Sequence, residues 1–186
     1  MKRFIDILLA ILIGSCFLLP ALLIALLVRL TSPGPVLYWS VRVGRGNVNF
    51  QMPKFRSMRV DTPALATHLL FNPDSYLTPI GGCLRKSSLD ELPQLWNIIK
   101  GEMSFVGPRP ALFNQQDLIE LRTRAGVSTL APGLTGWAQI NGRDELPLAQ
   151  KVTLDVEYLK NKSWWLDMKI IGLTAWKVLR GDNVAH

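Results

Sequence analysis

Two adjacent carboxylates, Asp90 and Glu91, lie in the segment SSLDELPQLWNIIKGEMSFVGPRP, among residue types that suit phosphate chemistry. Arg85 precedes the pair, Arg109 follows it between two prolines, and Arg143 lies in the glycine-rich stretch PGLTGWAQINGRDE. An arginine on a rigid loop is well suited to bidentate recognition of a phosphate. A carboxylate pair can divide the work, because one carboxylate can hold Mg²⁺ while the other attacks phosphorus and forms an acyl phosphate. The pattern therefore predicts a site for phosphoryl transfer.

A structural role for the same two carboxylates is the alternative. Ser88 and Glu91 fit the S-x-x-E capping box, in which the glutamate reaches back to the backbone amide of the serine. Asp90 would then only complement the helix dipole. We expect a helix with Ser88 as its N-cap and Gly101 at its end. Its apolar residues at helical spacing are Leu89, Leu92, Leu95, Trp96 and Ile99.

A β-hairpin is predicted before this segment. Two stretches rich in β-branched and aromatic residues, VLYWSVRVG and VNFQMPKFRSM, flank the turn RGN. Lys54 and Arg56 alternate across Phe55 in the second stretch, so both side chains are expected on one face of the strand. They belong either to a solvated strand face or, as weaker candidates, to a phosphate-binding site.

The remainder of the chain predicts an α+β fold that is mainly helical. Residues 60–80 suit a loop with at most one helical turn, whereas 111–124 and 149–161 suit helices. The last segment, WWLDMKIIGLTAWKVLRG, is amphipathic and combines tryptophans with basic residues, which suits either a membrane interface or a core-packed helix with one wet face. For three further acidic residues a structural role in helix pairing is expected, namely for Asp155, Glu157 and Asp167.

The N-terminus contains a long apolar run. No charged residue lies between Asp6 and Arg29, and these 22 residues (7 to 28) are enough to cross a hydrocarbon core of about 30 Å. A cleaved signal peptide is disfavoured, because the run is long and lacks a small-residue cleavage site. Basic residues flank both ends, and the positive-inside rule favours keeping them on one side. Pro20 breaks the helical hydrogen bonding near the middle, so a re-entrant helix and a straight transmembrane helix both remain open.

The charge and cysteine content restrict the partners and the compartment. The net charge of +7 and a pI near 9.7 favour an anionic partner such as nucleic acid, an anionic membrane or a phosphorylated metabolite. The two cysteines and two histidines have no disulfide or zinc-binding spacing. A reducing compartment is the simplest interpretation.

Two other classes of function compete with an enzyme. A membrane-tethered nucleic-acid-binding module would use the six tryptophans and the basic residues, but the arginines are scattered along the chain instead of forming a stripe, so no nucleic acid is expected as a partner. A non-catalytic membrane scaffold would keep Asp90 and Glu91 only as a helix cap.

Seven segments in fixed order over nearly the whole chain resemble the small monotopic phosphoglycosyl transferases, the bacterial sugar transferase family. They are KRFID, TSPGPV, KFRSM, LRKSSLDELPQLWNIIKGEMSFVGPRP, PGLTGWAQINGR, LDVEYLKNKSWWLDMKI and the closing helix. The resemblance implies transfer of a sugar-1-phosphate from a UDP-sugar to a polyprenyl phosphate, expected to be undecaprenyl phosphate, with release of UMP and with Mg²⁺ as cofactor. Such an enzyme starts the assembly of a membrane glycan.

The resemblance also implies roles for individual residues. Asp90 is expected to be the nucleophile that forms a covalent phospho-sugar intermediate, and Glu91 the adjacent Mg²⁺-associated carboxylate. We expect donor or acceptor phosphates to be bound by Arg85, Arg109 and Arg143, with Lys54 and Arg56 as weaker candidates. The transferred sugar, the polyprenol length, the glycan pathway and the oligomeric state, including a homo-oligomer, are left open.

The membrane segment of the family is a re-entrant helix on the cytoplasmic face of the bacterial inner membrane, which favours that topology here. The family helix is broken near a Ser-Pro pair, whereas this chain has Leu19-Pro20, so the break is assigned to Pro20. We expect residues 1–30 to be embedded among membrane lipids and residues 31–186 to form a catalytic domain on the cytoplasmic face. The sequence begins directly at the apolar segment, as expected for the small form of the family.

Overall fold

The computed structural model describes residues 2–63, 72–142 and 146–180. The chain is mainly helical with two small sheets, as predicted. The helices are α1 (Lys2–Cys16), α2 (Leu18–Thr31), α3 (Gly81–Ser87), α4 (Leu95–Lys100), α5 (Gln116–Arg124), α6 (Trp137–Ile140), α7 (Leu148–Asn161) and α8 (Trp164–Arg180). The strands are β1 (Leu37–Val43), β2 (Asn49–Phe55), β3 (Ser104–Val106), β4 (Ala111–Leu112) and β5 (Gly133–Thr135).

The apolar N-terminal run forms two helices, α1 and α2, that meet at Phe17 with a bend of 63°. Pro20 has no N–H, so the carbonyl of Cys16, where α1 ends, receives no helical donor from position 20. Neither helix alone has the length and apolar character needed to cross a bilayer, whereas the bent pair taken together has both.

Polar contacts tie the start of α1 to the rest of the chain. Lys2 Nζ donates to Asp167 Oδ2 at 2.7 Å, to Tyr158 Oη at 2.9 Å and to the carbonyl of Val106 at 3.0 Å. The phenol of Tyr158 donates to Asp167 Oδ1 at 2.7 Å, and burial together with this carboxylate raises the pKa of Tyr158, so the donor stays protonated. Asp6 accepts the amide of Phe105 at 3.2 Å.

The end of α2 is tied to the same body. Arg56, which directly follows β2, donates from Nη2 to the carbonyl of Ser32 at 2.8 Å and to its hydroxyl at 2.7 Å. Ser32 is the C-terminal cap of α2, so Arg56 supplies a donor to the end of that helix. Both ends of the bent pair are therefore bonded to the part of the chain that follows them.

The predicted hairpin is confirmed. β1 and β2 are antiparallel with Leu37 opposite Phe55 and Val43 opposite Asn49, and β4 adds to the other edge of β1. The connection contains a 3₁₀ turn, Arg45–Asn47. This hairpin positions β2, and with it Lys54, beneath the segment that carries the carboxylate pair.

The predicted helix beginning after Ser88 differs from the structure. Ser88 is in the left-handed conformation (φ 56°, ψ 16°), its side chain makes no capping hydrogen bond, and it ends α3. A 3₁₀ helix, Leu89–Gln94, follows and contains Pro93. The α-helix begins only at Leu95, and it ends at Gly101 (φ 92°) as expected. The capping-box interpretation of Ser88 is therefore wrong.

Two other predicted elements are partly right. The stretch 111–124 begins as strand β4 and becomes helix α5 only at Gln116. The predicted helix 149–161 is α7 with one residue more at its start. Of the predicted loop 60–80, residues 64–71 lie outside the described residues, and Pro73–Tyr76 form a 3₁₀ turn.

Strands β3 and β5 pair in parallel, with Ser104 opposite Gly133. The two backbones approach closely after β3, because a Cβ built on Gly133 would lie 2.1 Å from the amide nitrogen of Gly107. Only glycine fits such an approach. This contact joins the start of the segment GPRP to the segment PGLTG.

The main core lies between α1, α4, β3 and α8. Ile98, Met103 and Ile170 are almost fully buried in it, and Ala10 of α1 packs against the same cluster. A second cluster joins α2 to β2 and α3 through Ile24, Val28, Phe55 and Leu84. The outward faces of α1 and α2 carry large exposed apolar side chains, including Leu8, Leu12, Leu19, Leu22 and Leu26.

Candidate active site

Asp90 and Glu91 lie in the 3₁₀ helix Leu89–Gln94 and are 2% and 7% exposed. The left-handed Ser88 ends α3 abruptly, and the amide of Glu91 donates to the Ser88 carbonyl at 3.2 Å. This tight turn packs on β2. The two carboxylates are thus held in the interior, where an unpaired charge is costly, and cations must be close to them.

Lys54 of β2 forms ion pairs with both carboxylates. Its Nζ lies 2.7 Å from Glu91 Oε1 and 3.8 Å from Asp90 Oδ2. The second oxygen of Asp90, Oδ1, is buried and has no hydrogen-bond partner among the residues that the structure describes. Asp90 therefore directs one oxygen towards a cation, while the other has no donor from the part of the chain that the structure describes.

Arg109 reaches the pair from the Pro-Arg-Pro loop that follows β3. Its Nη1 lies 3.8 Å from Glu91 Oε1, and its side chain is 24% exposed. Because this distance is too long for a hydrogen bond, Arg109 and Glu91 form a loose ion pair. A partly exposed guanidinium in this position retains donors for an incoming anion.

Arg85, in the last turn of α3, belongs to the same electrostatic cluster. Burial lowers the pKa of Arg85 most, and Asp90 raises it while Arg109 lowers it. These opposing effects require the three side chains to be close to one another. Three cations therefore lie near the two carboxylates, and Asp74 is a further acidic neighbour of Arg85.

Burial raises the pKa of Asp90 above its ordinary value of 3.8. Lys54 opposes this shift most strongly, Glu91 adds to it by like-charge repulsion, and Arg85 and Arg109 lower it again. A carboxylate in this setting is poorly solvated. It is consequently a better nucleophile than an exposed aspartate, provided that it stays ionised.

Arg56, a predicted phosphate-binding residue, is not brought to the carboxylates. Arg56 is 4% exposed, bonds Ser32 at the end of α2, and makes no ion pair with Asp90 or Glu91. Strand β2 ends at Phe55, so the expected alternation of Lys54 and Arg56 on one strand face does not continue to position 56. Arg143 lies outside the described residues.

Gln94 is a site neighbour that sequence reasoning missed. It lies in the same 3₁₀ helix as the pair, is 2% exposed, and its Nε2 has no hydrogen-bond partner within the described ranges. An amide donor left unpaired in the interior is unusual. The sequence signal for Gln94 was that it is a polar residue within a stretch whose apolar residues have helical spacing.

Together these residues form a buried nucleophile with a cationic surround. Such a site can attack an electrophilic phosphorus, because the cations stabilise the negative charge on the phosphoryl oxygens. The described residues contain no group of three or more His, Cys, Asp or Glu side chains that would enclose a metal ion. The cations around the two carboxylates fit chemistry on a phosphorylated substrate.

Comparison with known proteins identifies one family. A family model described as bacterial sugar transferase matches residues 1–181. The chain is 40% identical over 185 residues to the uncharacterized sugar transferase EpsL of Bacillus subtilis, covering 99% of this chain and 90% of that protein.

Two further relatives carry more specific names. The UDP-glucose:undecaprenyl-phosphate glucose-1-phosphate transferase of Xanthomonas campestris is 42% identical over 173 residues, 89% of this chain and 36% of that protein. The UDP-N-acetylgalactosamine-undecaprenyl-phosphate N-acetylgalactosaminephosphotransferase of Aeromonas hydrophila is 37% identical over 185 residues, 97% of this chain and 44% of that protein. The chain thus spans less than half the length of these two relatives, and their names differ in the sugar.

Proposed function

Because the chain belongs to the bacterial sugar transferase family, we propose that it transfers a sugar-1-phosphate from a UDP-sugar to a polyprenyl phosphate and releases UMP. The observation that carries the proposal is the position of Asp90. This carboxylate is buried beside Lys54, Arg85 and Arg109, and its Oδ1 has no donor among the described side chains and backbone. The names of the relatives support the two substrate classes.

In the first step, a carboxylate oxygen of Asp90 attacks the phosphorus that carries the sugar. The bond from this phosphorus to the bridging oxygen breaks, and its electron pair leaves with UMP. In the second step, an oxygen of the polyprenyl phosphate attacks the resulting acyl phosphate. Asp90 leaves as a carboxylate, and the sugar diphosphate remains on the lipid. Lys54, Arg85 and Arg109 stabilise the charge on the phosphoryl oxygens in both steps.

The residues present fit a magnesium ion. Glu91 and Asp90 offer adjacent hard oxygen donors, and Mg²⁺ is commonly held by one or two carboxylates together with substrate phosphates. Glu91 would hold the ion with Asp90 adjacent. When bound, Mg²⁺ neutralises charge on the donor diphosphate.

We infer that the bent pair α1–α2 is a re-entrant segment. Its start is bonded to Tyr158, Asp167 and Phe105, and its end to Arg56, so both ends belong to one body. Its outward apolar side chains suit lipid. We place the protein on the cytoplasmic face of the bacterial inner membrane, where a water-soluble donor and a lipid phosphate can both reach the site.

The reaction is tested by UMP release from purified protein in lipid vesicles. The mixture contains Mg²⁺, undecaprenyl phosphate and one donor from a panel that includes UDP-glucose and UDP-N-acetylgalactosamine. We expect one donor to be used, and Asp90→Asn to lower its turnover by about 10³-fold or more. Asp117→Asn is the matched control, because this aspartate is exposed in the first turn of α5.

A second measurement tests the covalent step. Incubation with the active donor and without acceptor should add the mass of one sugar phosphate to the peptide containing Asp90, and not to the Asp90→Asn protein. Full activity of Asp90→Asn would assign the carboxylate to a structural role. Inactivity of folded wild-type protein towards every donor would favour the non-catalytic scaffold.

A further inference from the structure

The loop that carries Arg109 lacks backbone donors on both sides, since Pro108 and Pro110 have no N–H. Its carbonyl oxygens are nevertheless bonded from outside the loop. The amide of Gly133 in β5 donates to the carbonyl of Pro108 at 2.9 Å. The same close approach that requires glycine at position 133 thus holds the first carbonyl of the loop.

Two guanidinium groups hold the next two carbonyls. Arg122 Nη1, from α5, donates to the carbonyl of Arg109 at 2.7 Å. Arg42 Nη1, from β1, donates to the carbonyl of Pro110 at 3.2 Å. Three successive carbonyls are therefore held by donors from three different elements, which leaves the backbone of the loop little freedom.

Arg122 is itself fixed by a buried ion pair. Its Nε and Nη2 lie 2.9 and 2.7 Å from Asp155 Oδ2 on α7. Arg122 is 9% exposed and Asp155 is 1% exposed. A guanidinium is planar, and its donors have a fixed relative geometry. Asp155 on one edge consequently determines where the opposite edge, Nη1, presents its hydrogen to the Arg109 carbonyl.

The position of this carbonyl determines the direction of the catalytic side chain. Pro110 already restricts the backbone of Arg109 to extended conformations, and the bond from Arg122 fixes the remaining peptide plane. The Cα–Cβ direction of Arg109 then follows. This direction sets the origin of the side chain, whose guanidinium lies 3.8 Å from Glu91, beside Asp90 and Arg85.

We propose that Arg122, held by Asp155, is a positioning residue that sets Arg109 for contact with the phosphate of the donor, an inference that rests on the proposed function. Pairing of α5 with α7 explains the ion pair alone. It does not explain why Nη1 of Arg122 donates to the backbone carbonyl of Arg109, the arginine beside the carboxylates. A fixed guanidinium stabilises a transition state without reorganising.

The test is a double-mutant cycle between Arg122→Lys and Arg109→Gln, with kcat and KM measured by UMP release. A lysine keeps the charge beside Asp155, but a single ammonium cannot maintain the planar arrangement that also reaches the Arg109 carbonyl. We expect Arg122→Lys alone to lower kcat/KM by about 10- to 100-fold, mainly through kcat. In the Arg109→Gln background the same change should cost less than about twofold, because the group that it positions is gone.

The matched control is Arg124→Lys. Arg124 lies on the same helix, is exposed, and pairs only with Glu120 one turn earlier among the described residues. Its substitution should leave kcat and KM unchanged. Equal fold losses for Arg122→Lys in both backgrounds, or a loss no larger than that of Arg124→Lys, would overturn the positioning role.

Hydrogen exchange of the peptide 104–112 gives a measurement that needs no activity. We expect faster exchange in this peptide for Arg122→Lys. A weaker increase is expected for Asp155→Asn, because asparagine keeps an acceptor oxygen for Arg122. If Arg122→Lys does not fold, Asp155→Asn is measured in its place. Exchange in strand β2, Asn49–Phe55, which pairs with β1 and not with β4, should be unchanged. Unchanged exchange in 104–112 would refute the proposal. If exchange in 104–112 is faster in the variants but the wild-type protein is inactive, the result would support the fixed loop and reject the proposed reaction.

Discussion

Asp90 combines deep burial with an oxygen that lacks a hydrogen-bond donor among the described residues, and this affects stability as well as chemistry. Burial raises the pKa of Asp90 above 3.8, so between 3.8 and the raised value the folded chain binds more protons than the unfolded chain. Stability therefore falls as the pH rises through that interval and stays lowered above it. We expect Asp90→Asn to keep or raise Tm at neutral pH, and each kcal/mol regained in the free energy of unfolding should raise Tm by about 2–4 °C. Thermal unfolding followed by tryptophan fluorescence measures Tm.

Asp167→Asn provides the contrast for this measurement. Both oxygens of Asp167 accept short hydrogen bonds, from Lys2 and from Tyr158. An amide replaces one acceptor by a donor and leaves one of these groups without a partner, at a cost of about 1–3 kcal/mol. A loss of Tm in Asp90→Asn as large as that in Asp167→Asn would mean that Asp90 stabilises the fold.

Lys54 determines how acidic the medium can become before Asp90 loses its charge. Among the neighbouring charges, Lys54 lowers the pKa of Asp90 most. In the proposed mechanism turnover needs the ionised form of Asp90, so activity should fall as the pH drops through the raised pKa. We expect Lys54→Met to raise this pKa further and to shift the acidic limb of the kcat/KM profile to higher pH.

Lys160→Met is the control for the Lys54 experiment, because Lys160 is exposed on α7. Its acidic limb should coincide with that of the wild type. An acidic limb that stays in place in Lys54→Met would show that a different group governs the profile.

At the scale of secondary structure, local patterns predicted the elements whose residues interact with near neighbours. The hairpin β1–β2 and the end of α4 at Gly101 follow from strand propensity and from glycine, and both are confirmed. The segment after Ser88 was mispredicted because Pro93 favours a 3₁₀ turn over a continuous α-helix. Trp96 illustrates the result, since it was assigned to the apolar stripe and is 56% exposed.

Contacts distant in sequence were beyond prediction from a single chain. The parallel pairing of β3 with β5 joins two three-residue strands whose hydrophobic pattern is too short to read. Asp155 was expected to pair helices, and it does so through Arg122 of α5, 33 positions away. Arg56 likewise bonds Ser32 at the end of α2, a contact that depends on where α2 packs in the fold.

The approach of β3 to β5 predicts a strong dependence on Gly133. An added Cβ would lie 2.1 Å from the Gly107 nitrogen and 2.3 Å from the Thr135 carbonyl oxygen, both backbone atoms that cannot move independently. We expect Gly133→Ala to lower the free energy of unfolding by about 3 kcal/mol. Thermal unfolding in detergent measures the change.

Gly172→Ala in α8 is the matched control, because among the described residues no atom outside its own helix lies within 4 Å of the added Cβ. Alanine favours the helix, so this variant should gain about 0.5–1 kcal/mol. Equal stability of the two alanine variants would contradict the close approach of the strands.

At the scale of the whole molecule, the re-entrant proposal predicts that the start of α1 and the catalytic domain lie on the same side of the membrane. When Cys16 is replaced by serine, labelling of Cys83, which is exposed in α3, shows on which side of the membrane the domain lies. In a second variant both natural cysteines are replaced and a cysteine is added before Met1. Its labelling shows on which side of the membrane the start of α1 lies. We expect a membrane-impermeant maleimide to label both variants in inverted vesicles and neither in intact spheroplasts.

Opposite labelling of the two variants would establish a segment that crosses the bilayer. It would also conflict with the contacts of Lys2, because Lys2 bonds Val106, Tyr158 and Asp167 of the domain. The labelling therefore tests the topology independently of the reaction.

The one-sided placement of apolar side chains on α1 and α2 has a mechanical consequence for the proposed host membrane. A segment that enters and leaves by one face adds area to a single leaflet, which then becomes more crowded than the opposite leaflet. Such a wedge favours convex bilayers and lipid packing defects. The protein should consequently bind small vesicles more tightly than large ones of the same composition, and its local abundance would follow the curvature of the cell envelope.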